Sequence, residues 1–179
     1  MILIPYSFTN IVITLVWILV RILVWKRENQ ISGKREVQLI LVYICIMVVA
    51  RFTLFPFDKV DGAVQPLVLD TAKWFSSQIN WKPLVHLMKY PESRIAWLNL
   101  IGNITMFIPL GIVWPAVFPK LDRPWKVLAA GAGFSLCIEI LQLPFYVRVS
   151  DIDDLILNTL GYALGYGIYL LMKWIFKRK

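Results

Sequence analysis

Four acids, a base, a Gln and an Asn fall between Glu139 and Asn158: Glu139, Asp151, Asp153, Asp154, Arg148, Gln142 and Asn158. The stretch reads E-I-L-Q-L-P-F-Y-V-R-V-S-D-I-D-D-L-I-L-N, and its flanks are apolar enough for lipid. Carboxylates there can act as general acid and base or hold a cation. An arginine can meet phosphate or carboxylate, and amides can hydrogen-bond sugar or peptide. Ionisable groups inside a membrane are costly, which makes them a functional site by default. The competing reading is structural: an ion pair and a few amide bonds that only fix a bundle, with Ser150 or Asp151 capping a helix.

The elements that must position these groups are membrane spans. The 179 residues are 59% hydrophobic, against about 45–50% in soluble domains. The excess lies in blocks, and mean hydropathy is +0.67. Crossing about 30 Å of hydrocarbon takes about 20 helical residues. Five blocks satisfy this, near 8–25, 37–57, 95–118, 125–146 and 152–176. The expected fold is an all-α polytopic transmembrane bundle forming one integral membrane domain, 1–179. Met1 to Phe8 has no basic residue, so no cleavable signal peptide is expected. Cys45 and Cys137 lie mid-block and read as buried free thiols. The long second connection carries an amphipathic stretch, Gln65 to Tyr90, which reads as interfacial helical pieces or a partly re-entrant segment with Trp74, Trp81 and Trp97 at headgroup level. His86, the single histidine, stands alone in it.

The net charge of +8 does not indicate nucleic-acid binding, because the basic residues cluster beside the apolar blocks. Lys26, Arg27, Lys34 and Arg35 follow the first block, Lys120, Arg123 and Lys126 the third, and Lys173, Lys177, Arg178 and Lys179 the last. The positive-inside rule then places the N-terminus outside and the C-terminus in the cytoplasm. With that orientation Arg51, Asn99, Asn103, Glu139, Gln142, Asp154 and Asn158 fall within roughly 12 Å of the outer surface at 1.5 Å per residue. Arg51 and Glu139 are the natural ion pair at that depth. The spacings also align: Asn99 and Asn103; Gly131, Ser135, Glu139 and Gln142; Asp154, Asn158, Gly161 and Gly165. Each set marks one helix stripe, small residues inward and polar residues outward.

Three stretches in this order resemble the VanZ-like family: Leu98 to Gly111 (L-N-L-I-G-N-I-T-M-F-I-P-L-G), Glu139-x-x-Gln142, and Arg148 to Gly165 (R-V-S-D-I-D-D-L-I-L-N-T-L-G-Y-A-L-G). Arg51 to Phe57 and Asn80-Trp81-Lys82-Pro83 fit its weaker upstream motifs, so the likeness covers about 51–169. The resemblance implies a bacterial cytoplasmic-membrane protein and resistance to teicoplanin, a lipid-bearing glycopeptide. It implies no settled mechanism. The positions it shares are Asn99, Asn103, Glu139, Gln142, Arg148, Asp151, Asp154 and Asn158.

Two functions compete. In one, an outward-facing polar cavity binds or shields a lipid-linked cell-wall precursor or a lipidated glycopeptide, with Arg51, Arg148 and the amides as ligand-binding residues. In the other, a membrane-embedded enzyme uses Glu139, Asp151 and Asp154 on a lipid-linked phosphate or sugar, with or without a divalent cation. No Ser-His or Cys-His set supplies a nucleophile, and no cofactor is called for. A path across the membrane is disfavoured, because no inverted repeat is visible and the polarity lies at one end. The expected partners are membrane lipids and the envelope precursor or lipoglycopeptide.

Overall fold

In a computed structural model the described residues form five long helices. The structure describes residues 1–28, 31–55, 59–69, 79–80, 82–83, 94–121, 123–145 and 149–177. The helices are α1 (Tyr6–Trp25), α2 (Gly33–Leu54), α3 (Arg94–Val117), α4 (Pro124–Gln142) and α5 (Ile152–Lys177). All five are long and apolar enough to cross a membrane. Their outward faces carry the exposed apolar side chains, as lipid-facing surfaces do, and α1 buries no residue at all. Cys45 and Cys137 are free, but Cys137 is exposed, correcting the expectation of burial. A residue at mid-membrane depth is buried in protein only if its helix face turns inward.

Two helices stop earlier than hydropathy suggests, and proline is the reason. Phe55, the residue before Pro56, is extended, with φ −104° and ψ 146°, so α2 ends at Leu54. Helix α4 ends at Gln142, where Leu143 N–H turns back to the Ile140 carbonyl and Pro144 offers no amide to continue. Inside α3, Pro109 and Pro115 each remove one intrahelical bond, yet the helix runs through both.

The chain divides into two compact units, residues 1–74 with 144–147, and residues 75–143 with 148–179. In the first unit, Arg21 pairs bidentately with Glu36 of α2. Thr14 and Tyr43 hydroxyls share a bond at 2.7 Å, and Trp17 packs against Tyr43. The N-terminal strand β1 (Ile2–Ile4) pairs antiparallel with β4 (Leu67–Leu69), Ile2 opposite Leu69. A hairpin joins β2 (Lys59–Val60) to β3 (Ala63–Val64) through Asp61 and Gly62, both at positive φ. Asp-Gly is the preferred pair for that two-residue turn. Part of the expected amphipathic loop is thus extended: Leu67–Leu69 is a run of apolar residues after Pro66 with a strand partner available. The expectations for Trp74, Trp81 and His86 lie outside the described residues.

In the second unit, α3 and α5 run parallel and pack backbone to backbone. A Cβ on Gly161 would meet the Ile104 carbonyl oxygen at 2.1 Å, and one on Gly165 would meet the Ile108 carbonyl oxygen at 2.1 Å. From the other side, a Cβ on Gly111 would lie 2.1 Å from the Tyr162 carbonyl oxygen. Only glycine permits this approach. Helix α4 contacts α5 differently: Gly131 leaves room for the Tyr162 ring, which is fully buried and meets Trp114 edge-on at 5.9 Å. The small-residue stripe of α5 thus serves α3, while α4 is spaced from α5 by an aromatic ring. A short parallel pair, β5 (Ile79–Asn80) with β6 (Ser150–Asp151), closes the end where α4 stops and α5 starts.

Candidate functional site

The polar groups meet along two contact lines of α5. On the α4 side the contacts form successive rungs. Gly131 faces Tyr162, Ser135 Oγ accepts Asn158 Nδ2 at 3.0 Å, and Glu139 reaches the start of α5. Four-residue steps on antiparallel helices keep these pairs in register. On the α3 side, Asn103 donates its side-chain amide to Asp154 Oδ1.

Among the described residues Glu139 is the most buried acid, 4% exposed. Its Oε2 accepts the Ser150 hydroxyl at 3.1 Å and the Asp151 backbone N–H at 3.0 Å. Among the described residues its Oε1 accepts no bond. A buried carboxylate needs such donors, since each missing one costs desolvation without return. Asp151 takes the capping role foreseen for it: Oδ1 accepts the Asp153 N–H at 2.9 Å, two residues on, in the first turn of α5. Its other oxygen, Oδ2, accepts Asn80 Nδ2 at 3.0 Å, so the strand pair β5–β6 is also locked through side chains. Lys82 N–H in turn donates to Asn80 Oδ1 at 3.2 Å. Gln142, one turn beyond Glu139, is 4% exposed, and Asn158 is 1% exposed with no partner for its Oδ1 among the described residues. The Tyr162 hydroxyl and Trp114 Nε1 are likewise buried with no partner among them.

Within the second unit one expected residue stays outside this cluster. Asn99 is exposed, one turn before Asn103 on α3. Arg51 belongs to the first unit, where its guanidinium carbon lies 5.6 Å from the Tyr6 ring centre and 5.4 Å from that of Phe52. Arg148 lies outside the described residues. Ser135, Ser150, Tyr162 and Asn80 hold places in the cluster beyond the residues expected from sequence. Ser135 was visible as a polar member of the Gly131–Gln142 stripe. Asn80 had no local signal, because its partner is 71 residues away.

Among the described residues no three His, Cys, Asp or Glu side chains converge as a metal site. Asp151 and Asp154 spend oxygens on protein amides, and Glu139 spends one oxygen. What the arrangement offers is a set of carboxylate and amide oxygens, hydrogen-bonded to one another's helices at one end of a three-helix unit. Such a set can receive amines, amides or hydroxyls.

Fold and site define a multi-pass membrane protein with a polar cluster at one end of its helices. The chain belongs to the VanZ/LLP1 family, whose model matches residues 39–173. It is similar to Protein VanZ of Enterococcus faecium, 35% identical over 71 residues. That match covers 40% of this chain and 44% of the relative, so less than half of the relative's length is spanned. No solved structure matches the chain.

Proposed function

We propose that this chain sits in the bacterial cytoplasmic membrane with its N-terminus outside, and that the Glu139–Asp151–Asp154 end binds the polar head of a lipid-linked cell-wall precursor or of a lipidated glycopeptide. Binding there shields the ligand's target or sequesters the ligand, giving resistance of the teicoplanin type. Membership of the VanZ/LLP1 family and the likeness to Protein VanZ support this reading. The observation that carries it is the burial of three acceptor-bearing side chains, Glu139, Gln142 and Asn158, beside Asp151 and Asp154. A cluster of that size exceeds what two helix contacts need, and its carboxylate and amide oxygens suit the amines and hydroxyls of an aminosugar or peptide.

The test uses full-length protein expressed in a teicoplanin-sensitive host. Glu139→Gln and Asp154→Asn should abolish the rise in the inhibitory concentration while membrane expression stays near the parent's level. Purified parent protein incubated with lipid-linked precursor should retain it without a mass change. A mass change would show catalysis instead, and full resistance in both variants would refute a role for the cluster.

A further inference from the structure

The opposite end of α5 carries a second, chemically different site. A cavity of about 300 Å³ lies between the last turn of α3, the connection after it and α5. Part of its wall is apolar, from Pro115, Ala116, Leu121 and Leu170. Its polar lining is Tyr166, Tyr169 and Lys173. Spacings of three and four put these side chains on one stripe of α5. The two tyrosine rings stack at 6.2 Å, and Lys173 Nζ lies 5.8 Å from the Tyr169 ring centre. Among the described residues no carboxylate pairs with Lys173, and none lines the cavity. The surrounding charge is positive too: Lys120, Arg123 and Lys126 against Asp122 in the connection, and Lys177 one turn beyond Lys173.

From Asp154 to Lys173 is about 28 Å along the helix at 1.5 Å per residue, roughly the hydrocarbon thickness. The cavity therefore sits at the interface of the other leaflet from the acidic cluster. We infer that this cavity is a binding site for an anionic phospholipid, its phosphodiester held by Lys173 and the Tyr166 and Tyr169 hydroxyls, with acyl chains along Ala116 and Leu170. A lipid is favoured over a free anion because Ala116, Leu121 and Leu170 give acyl chains an apolar wall beside the polar stripe, and the rim belongs to membrane-spanning helices. The size is that of a small ligand pocket. This site does not depend on the function assigned to the acidic end.

The experiment is native mass spectrometry of delipidated full-length protein titrated with phosphatidylglycerol or phosphatidylcholine. The parent should retain phosphatidylglycerol selectively. Lys173→Gln should weaken retention about tenfold, the worth of one charge-assisted bond. Ala116→Trp, which fills the cavity, should do the same, and Lys59→Gln in the exposed β2 strand should not. If Ala116→Trp does not give folded protein, Lys173→Gln decides alone. Equal retention of the two lipids, unchanged retention by Lys173→Gln, or displacement by millimolar inorganic phosphate would each overturn the assignment.

Discussion

The carboxylate of Glu139 accepts the backbone N–H of Asp151 at 3.0 Å, tying the last turn of α4 to the residue that caps α5. The same oxygen takes the Ser150 hydroxyl at 3.1 Å. One buried acid thus closes the helical hairpin and sits at the centre of the polar cluster. Its structural and functional roles can be separated by chemistry, because a neutral amide can still accept both bonds.

Glu139→Ala should be clearly less stable than Glu139→Gln. The alanine leaves a half-buried N–H and hydroxyl without their acceptor, at up to about 1–3 kcal/mol. The glutamine keeps the acceptor and loses only the charge. Thermal unfolding followed by fluorescence-detected size exclusion in detergent should rank them parent, Glu139→Gln, Glu139→Ala. Equal stability of the two variants would mean the hairpin does not rely on this acceptor.

The glycines make a sharper contrast. Gly161→Ala and Gly165→Ala drive a Cβ into backbone carbonyls of α3, which cannot move aside as a flexible side chain can. Overpacking of this kind costs about 1–3 kcal/mol or more. Gly133→Ala and Gly167→Ala meet nothing within 4 Å and should be neutral or slightly stabilising through helix propensity. Comparable yields of monodisperse protein from all four would contradict the close approach of α3 and α5.

Asn103 and Asp154 should be energetically coupled. A double-mutant cycle with Asn103→Ala and Asp154→Ala is expected to give an interaction of about 0.5–3 kcal/mol. The same cycle between Asn99 and Asp154 should give close to zero, since Asn99 is exposed. Unfolding in mixed micelles reads both.

The proposed orientation makes its own prediction. In a background with Cys45 and Cys137 replaced, Ser150→Cys should react with a membrane-impermeant maleimide in intact cells, and Ser32→Cys should react only after permeabilisation. The reverse pattern would invert the topology.

Asn80→Ala should loosen the β5–β6 pair without unfolding the helices. Hydrogen exchange at the Asp151 and Asp153 amides should rise while exchange within α3 stays slow. Unchanged protection at both amides would show that Asn80 adds nothing to this closure.

The five helices were legible in the sequence because backbone groups in lipid must bond within their own segment, so a long apolar block has one solution. The polar stripe on α4 was legible for a related reason: Gly131, Ser135 and Glu139 recur every four residues, and a helix places them on one face. The exposure of Cys137 was not, since depth in a span says nothing about which face turns to lipid. Nor was the division of labour on α5. Asn158, Gly161, Tyr162 and Gly165 cover a face about 100° wide, and at that width sequence cannot say which neighbour each residue meets. Tertiary packing decided it: Asn158 and the Tyr162 ring turn to α4, Gly161 and Gly165 to α3. The same holds for Asn80 and Asp151, whose bond joins residues with no shared local pattern. Local periodicity determines which residues share a face. Only the folded chain determines what that face touches, because that depends on contacts between segments far apart in sequence.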